Sequence, residues 1–304
     1  MSTKSTDAFD FGHPPSTIHL GDLEVCRLGF GAMRLPGPDV WGEPADPDLA
    51  RSVVRRAIEL GVNFIDTSWY YGPYVANRLI ADALYPYPSD LVIATKLGGR
   101  RLPDKGWAAA LRPEELRKGC EDDLSLLRLE RTDVTHLRYV QGADVDFHEA
   151  LDAMIELKRE GKIRHLGLSN VSADQLSQAL EKTPVVAVQN MFNVAGGGGF
   201  LAKATGSEVD SPEAVLDLCT ERGIAYLPFF PLLAGTIGKS ESGVSRVANR
   251  LGVTPAQVAI AWLLARSPIM LPIPGTGSLS HLEENCAAHK IQLSPEDFAE
   301  VTTD

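Results

Sequence analysis

Positive charge is scarce in this chain: 29 Lys and Arg face 40 Asp and Glu, a formal net charge of −11 over 304 residues. That deficit argues against a nucleic-acid or anionic-membrane partner, either of which calls for a basic face. Cysteine is scarce too. Cys26, Cys120, Cys219 and Cys286 lie far apart with no CxxC spacing, which points to reduced thiols in the cytoplasm rather than a disulfide frame or zinc site. No apolar run approaches the roughly 20 residues of a membrane-spanning helix. The opening "MSTKSTDAFDFGHPPST" lacks the apolar core of a signal peptide, and residues 1–16 read as a flexible tail. No GxSxG elbow or HExxH occurs, and the GxG of "GFGAM" (29–33) lacks the helix and acidic residue of a Rossmann fingerprint.

What is present is an alternation of short β-rich runs with helical periods. Strand-like runs fall at 27–33, 63–68, 91–98, 133–140, 162–170, 185–193, 224–230 and 269–275. Amphipathic helical patterns lie between and after them, at 46–61, 75–84, 112–129, 146–161, 172–182, 211–223, 243–252, 255–266 and 280–290. Ser172, and Ser211 with Pro212 behind it, are expected to cap two of these. Eight βα units without an internal linker predict an α/β fold, a single-domain (β/α)8 TIM barrel over residues 17–304. An open doubly wound sheet is the rival that periodicity leaves standing. The Gly-rich residues 195–210 read as a long loop and candidate lid.

In such a barrel chemistry gathers at the C-terminal ends of the strands. Lys96 sits in the otherwise apolar run "IATKLG", where an ammonium needs an anion, and Asp66 on the neighbouring strand is the natural partner. The pair reads either as a buried salt bridge holding the barrel or as the field that tunes a nearby tyrosine for proton transfer. "PIPGTGS" brings small residues to a helix start, a weak signal for phosphate. His281 and His289 read as surface residues, and the basic "KLGGRRLPDKGW" (96–107) as a solvated loop. Trp69 is equally readable as pocket wall or packed aromatic. In "RTDVTHLRYV", His136 and Arg138 stand two apart on one strand and share a face.

Taken in order, "GVNFIDTSWYYG", "IATKLG", "GKIRHLGLSN", "VVAVQNMFN", "IAYLPF" and "PIPGTGSLSHLEEN" resemble the aldo-keto reductase family. The resemblance runs from about residue 17 to the C-terminus. It implies a barrel that holds NADP(H) without a Rossmann domain and reduces a small-molecule aldehyde or ketone. It implies a catalytic set of Asp66, Tyr71 as proton donor and Lys96, with Arg138 where the family keeps a histidine. It further implies cofactor contacts at Gly31, Met33, Asp66, Ser169, Asn170, Gln189, Pro228, Thr276, Gly277, Ser278, His281, Glu284 and Asn285, with the Tyr226 ring stacked on the nicotinamide. Gly277 and His281 stand where the family often has arginine, so NADPH is expected and NADH is left open. Arg78 also replaces a usual glutamate. A fixed charge at Arg138 is expected to depress the Tyr71 phenol, and a phenolate there would be a better base for oxidation or enolisation. The Arg138 departure motivates the alternatives: C=C reduction, an isomerase or dehydratase step with tightly held cofactor, or a redox-sensing subunit. No pattern specifies an oligomeric state.

Overall fold

The computed structural model describes residues 17–194, 212–232 and 242–302. Residues 1–16 and 195–210, read from sequence as tail and lid, and the Ser211 cap lie outside these. Two antiparallel strands, β1 (Thr17–Leu20) and β2 (Leu23–Cys26), form a hairpin ahead of the barrel. The parallel wall follows as β3 (Phe30–Gly31), β4 (Phe64–Asp66), β5 (Val92–Arg101), β7 (Thr132–Arg138), β8 (Ile163–Ser169), β9 (Val185–Gln189) and β10 (Ala225–Tyr226), paired in that order. β6 (Trp107–Ala110) folds back antiparallel on the far end of β5.

The eighth wall is the run 269–275, which forms no continuous ladder. Pro272 and Pro274 carry no N–H, so they accept but cannot donate. Gly29 and Gly31 donate to their carbonyls at 2.9 and 3.3 Å, and on the other side Leu271 N–H donates to Tyr226 O at 2.9 Å. A Cβ on Gly31 would run into Ile273 O and one on Gly275 into Gly31 O. Glycine at both positions therefore lets the two backbones close the barrel.

The helices behave as their patterns predict. α1 (Pro47–Glu59), α2 (Val75–Leu84), α3 (Pro113–Leu127), α4 (Phe147–Arg159), α5 (Ala173–Lys182), α6 (Pro212–Arg222), α7 (Gly243–Leu251), α8 (Pro255–Arg266) and α9 (Leu279–Ala287) follow the expected spans, with ends that differ by a few residues at most. Ser172 caps α5 in a capping box with Gln175. A further helix, α10 (Pro295–Thr302), has no counterpart among the expected ones. The barrel is a (β/α)8 fold with one apolar set inside its lower half: Phe64, Val92, Ala94, Val134, Ala187, Ala225 and Leu227 pack with Leu20 and Val25 of the hairpin. The hairpin thus plugs the end opposite the strand termini. Among the described residues no helix is long and apolar enough to cross a membrane.

Candidate active site

β4 ends on Asp66, and the next residues place Tyr71 at the mouth. Lys96, on β5, reaches across: its Nζ donates to Asp66 Oδ2 at 2.6 Å and to Thr67 O at 3.2 Å. Both side chains are almost fully buried. Gln189 Nε2, at the end of β9, donates to the other carboxylate oxygen at 2.7 Å. The Lys96 ammonium lies 4.9 Å from the centroid of the Tyr71 ring. The sequence pairs Lys96 with Asp66, and the geometry matches.

The protonation of Tyr71 differs from expectation. Burial pushes its phenol well above the ordinary value of 10, the Asp66 charge pushes the same way, and Arg138 opposes them without prevailing. Tyr71 therefore keeps its proton, as a proton donor must. The neighbouring Tyr70 is raised in the same way, chiefly by burial.

His136 and Arg138 have different surroundings. His136 pairs in register with Lys96 on one side and Gly167 on the other. It is fully buried, its Nδ1 donates to Thr95 O at 3.3 Å, and its Nε2 has no partner among the described residues. Burial lowers its pKa from 6.5 to about 4, so the imidazole is neutral. A Cβ at Gly167 would strike the His136 ring, which ties this glycine to this histidine. Arg138, one repeat further, is half-buried, with its guanidinium 5.9 Å from the Phe229 ring centroid.

Behind the pair lies a buried polar chain. Thr67 Oγ1 donates to Asn77 Oδ1 and Asn77 Nδ2 to Asp123 Oδ1, each at 2.7 Å. Burial pushes the Asp123 carboxyl up to about 8, against the hydrogen bonds that favour its charge.

A cleft of about 630 Å³ opens beside Asp66, Tyr71 and Gln189. Gly31, Met33 and Arg34 line it, as do Thr276 and Gly277 ahead of α9 and His281, Glu284 and Asn285 on α9. Thr254–Ala256 and Phe229–Leu232 complete its wall. Ser278 instead caps α9, accepting from His281 N–H. Ser169 stands in register with Gln189, and its buried Oγ has no partner among the described residues. Asn170 takes a left-handed backbone with φ 60° and its amide donates to Tyr139 O.

Two placements depart from the sequence reading. Tyr226 is absent from the cleft lining and fully buried, with Phe192 at 5.8 Å and Cys219 and Trp262 in the same apolar cluster. Pro228 is buried and also absent from the lining. Phe229 and Phe230, just past Tyr226, bring rings to the cleft wall. The signal that could have found Phe229 is strand parity: Ala225 and Leu227 face the barrel interior, so odd positions point inward and Phe229 continues the row.

Around the mouth, residues 96–107 are no open loop. Arg101 lies 4.1 Å from the Trp107 ring and 5.4 Å from the Trp41 ring, and donates to Val40, Asp39 and Lys105 carbonyls. Trp69 is packed, stacked on Tyr74 at 5.7 Å. Arg78 pairs with Glu43, which links α2 to the loop after β3. His289, expected on the surface, is buried and donates to Cys286 O. No metal-holding cluster of His, Cys, Asp or Glu occurs among the described residues.

Comparison with known proteins agrees with this geometry. The model of the Aldo/keto reductase family matches residues 27–303. Pyridoxine 4-dehydrogenase of Escherichia coli (strain K12) is 45% identical over 286 residues, 92% of this chain and 95% of that protein. The thermostable aldo-keto reductase Tm1743, solved with the inhibitor epalrestat, superposes with a TM-score of 0.77 at 27% identity, covering 94% of this chain and 98% of that one. An aldo/keto reductase from Klebsiella pneumoniae, solved with NADP and acetate, gives 0.75 at 25% identity, covering 95% of each chain. With the barrel, the Lys96–Asp66 pair and these matches together, the chain belongs to the aldo-keto reductase family.

Proposed function

We propose that this oxidoreductase reduces an aldehyde or ketone at the Tyr71 end of the cleft, using NADPH. The observation that carries the reading is a protonated Tyr71 beside the buried Lys96–Asp66 pair, at one end of a cleft large enough for a dinucleotide. When bound, NADPH supplies the hydride. Tyr71 donates the proton to the carbonyl oxygen, and Lys96 holds positive charge beside the resulting phenolate. Asp66 and Gln189 fix the position of that ammonium. The partnerless Ser169 Oγ and the carbonyl oxygen of the Gln189 side chain suit a carboxamide. Gly31, Met33, Thr276, Gly277 and Asn285 suit the rest of the cofactor, with Arg34 and His281 as the basic residues of the lining.

The substrate class we favour is an aromatic ring aldehyde such as pyridoxal, the oxidised partner of the alcohol named in the relative from Escherichia coli. The ring surfaces of Tyr71 and Phe229 in the cleft lining support it. Burial raises the Tyr71 phenol, which suits a proton donor better than a phenolate base. The buried free thiols Cys120, Cys219 and Cys286 suit the reducing cytoplasm. The test is oxidation of NADPH and of NADH with pyridoxal, simple aldehydes, ketones and enones. Turnover of ring aldehydes with NADPH supports the reading, and turnover of enones alone contradicts it.

A further inference from the structure

The proposed proton transfer leaves three buried polar side chains unused. Thr67 follows β4, Asn77 lies in the first turn of α2 and Asp123 within α3, and all three are fully buried. Thr67 Oγ1 donates to Asn77 Oδ1 and Asn77 Nδ2 to Asp123 Oδ1, both at 2.7 Å. Burying an amide and a carboxyl between helices costs stability that apolar side chains of the same size would not. A chain of this kind rigidifies what it is tied to, and here it is tied to Thr67.

Thr67 is fastened at three points. Its N–H donates to Ala94 O at 2.9 Å, its hydroxyl donates to Asn77, and its carbonyl accepts from Lys96 Nζ at 3.2 Å. The next residue returns a bond to the same lysine, Ser68 Oγ donating to Lys96 O at 3.2 Å. An ammonium carries three N–H donors in a fixed tetrahedral array. Asp66 Oδ2 takes one at 2.6 Å and Thr67 O takes another, and these two directions determine the third. That third donor is the one left for Tyr71, whose ring centroid lies 4.9 Å from Nζ. A shift of the Thr67 carbonyl would turn the ammonium about its bond to Asp66 and re-aim it. Misplacement by about 1 Å, even from a remote change, is enough to cost catalysis on the order of 10²-fold.

We propose that Asn77 and Asp123 are positioning residues for the proton transfer: through the Thr67 side chain they hold the Thr67 carbonyl, which aims Lys96 at Tyr71. This deepens the carbonyl-reductase reading and rests on Tyr71 as its proton donor. The carbonyl carbon gains the hydride supplied by NADPH, its oxygen gains the Tyr71 proton, and Tyr71 is reprotonated from solvent. The phenolate that forms in between receives the third Lys96 N–H. Asn77 and Asp123 lie outside the cleft lining, exchange no proton and act through Thr67.

The experiment mixes NADPH-loaded enzyme with saturating pyridoxal, or with benzaldehyde where pyridoxal is not reduced, in a stopped-flow instrument. It reads the single-turnover rate per bound cofactor in H2O and D2O for the wild type, Thr67→Val, Thr67→Ser, Asn77→Leu and Asp123→Asn. Scaling to bound NADPH removes any loss through misfolding. The expected result is a rate about tenfold lower in Thr67→Val and Asn77→Leu, the size of one charge-assisted hydrogen bond. Their solvent isotope effect should rise, because proton transfer becomes the slower part, while NADPH affinity and the steady-state KM for the aldehyde hold within about twofold. Thr67→Ser keeps the hydroxyl and Asp123→Asn keeps an acceptor for Asn77, so both should stay within about twofold of the wild-type rate. Should Asn77→Leu fail to fold, Thr67→Val decides, since it keeps the shape of the side chain and removes only the hydroxyl. A rate per bound cofactor and an isotope effect unchanged in Thr67→Val overturn the proposal while leaving carbonyl reduction intact. No turnover of either aldehyde by the wild type overturns the underlying reading as well.

Discussion

The Lys96 ammonium and the Asp66 carboxylate meet at 2.6 Å with both side chains almost fully out of water. A pair in that setting is a poor source of net stability but a costly one to split. Lys96→Met strands a buried carboxylate and should destabilise the fold by about 3–5 kcal/mol. The double variant Asp66→Asn with Lys96→Met should recover much of that loss without recovering turnover. Urea unfolding of the three proteins checks the first expectation, and NADPH oxidation checks the second. Equal stability of the single and double variants would contradict the account.

His136 makes an acid-sensitive contribution. Its pKa falls from 6.5 to about 4 because burial disfavours the imidazolium. Below pH 6.5 the unfolded chain takes up the proton and the folded one does not until about pH 4. The stabilising contribution is thus present above pH 6.5 and lost as the pH falls to 4. The loss is roughly 3 kcal/mol, because a tenfold difference in proton affinity between the folded and unfolded chain is worth about 1.4 kcal/mol. His136→Gln should flatten unfolding free energy against pH across that window relative to the wild type.

Asp123 works in the opposite sense. Its carboxyl is pushed up to about 8 in the fold from an ordinary 3.8. Ionisation of the unfolded chain then draws stability away as pH rises from 4 through 8. Asp123→Asn imitates the protonated acid and can keep the bond from Asn77. The variant should match the wild type near pH 4 and exceed it increasingly toward pH 8 in urea midpoints. A variant weaker than wild type at pH 8 would show that Asp123 is ionised in the fold.

The parts of the fold legible in the sequence are those written in period. The helices over 75–84 and 255–266 are readable to the residue because their apolar spacing ends at clear breakers. The hairpin of β1 and β2 and the helix α10 carry only local signals, which an eight-fold βα pattern does not contain. Gly21 and Asp22 make the two-residue turn, and Ser294 and Asp297 bond reciprocally at the start of α10. The proline-broken wall at 269–275 is legible as extended chain, but its missing ladder is a matter of absent N–H groups.

At the site, Lys96 with Asp66 is legible because a lysine in an apolar strand demands an anion. Phe229 is harder to see, because the family motif points to Tyr226 and only strand parity turns the inward row toward Phe229. The protonation of Tyr71 cannot be read from sequence at all. It depends on whether burial or the Arg138 charge is larger, and only the packed structure supplies that balance.

The most direct test of the central claim is Tyr71→Phe. The account predicts that steady-state aldehyde reduction falls by a factor of about 10² to 10⁴, the range for loss of a general acid. NADPH affinity, measured by fluorescence titration, should stay within about threefold of wild type, since Ser169, Gln189 and Thr276, proposed to hold the cofactor, are unchanged. Near-full turnover in Tyr71→Phe with cofactor still bound would contradict the assignment of Tyr71 as the proton donor.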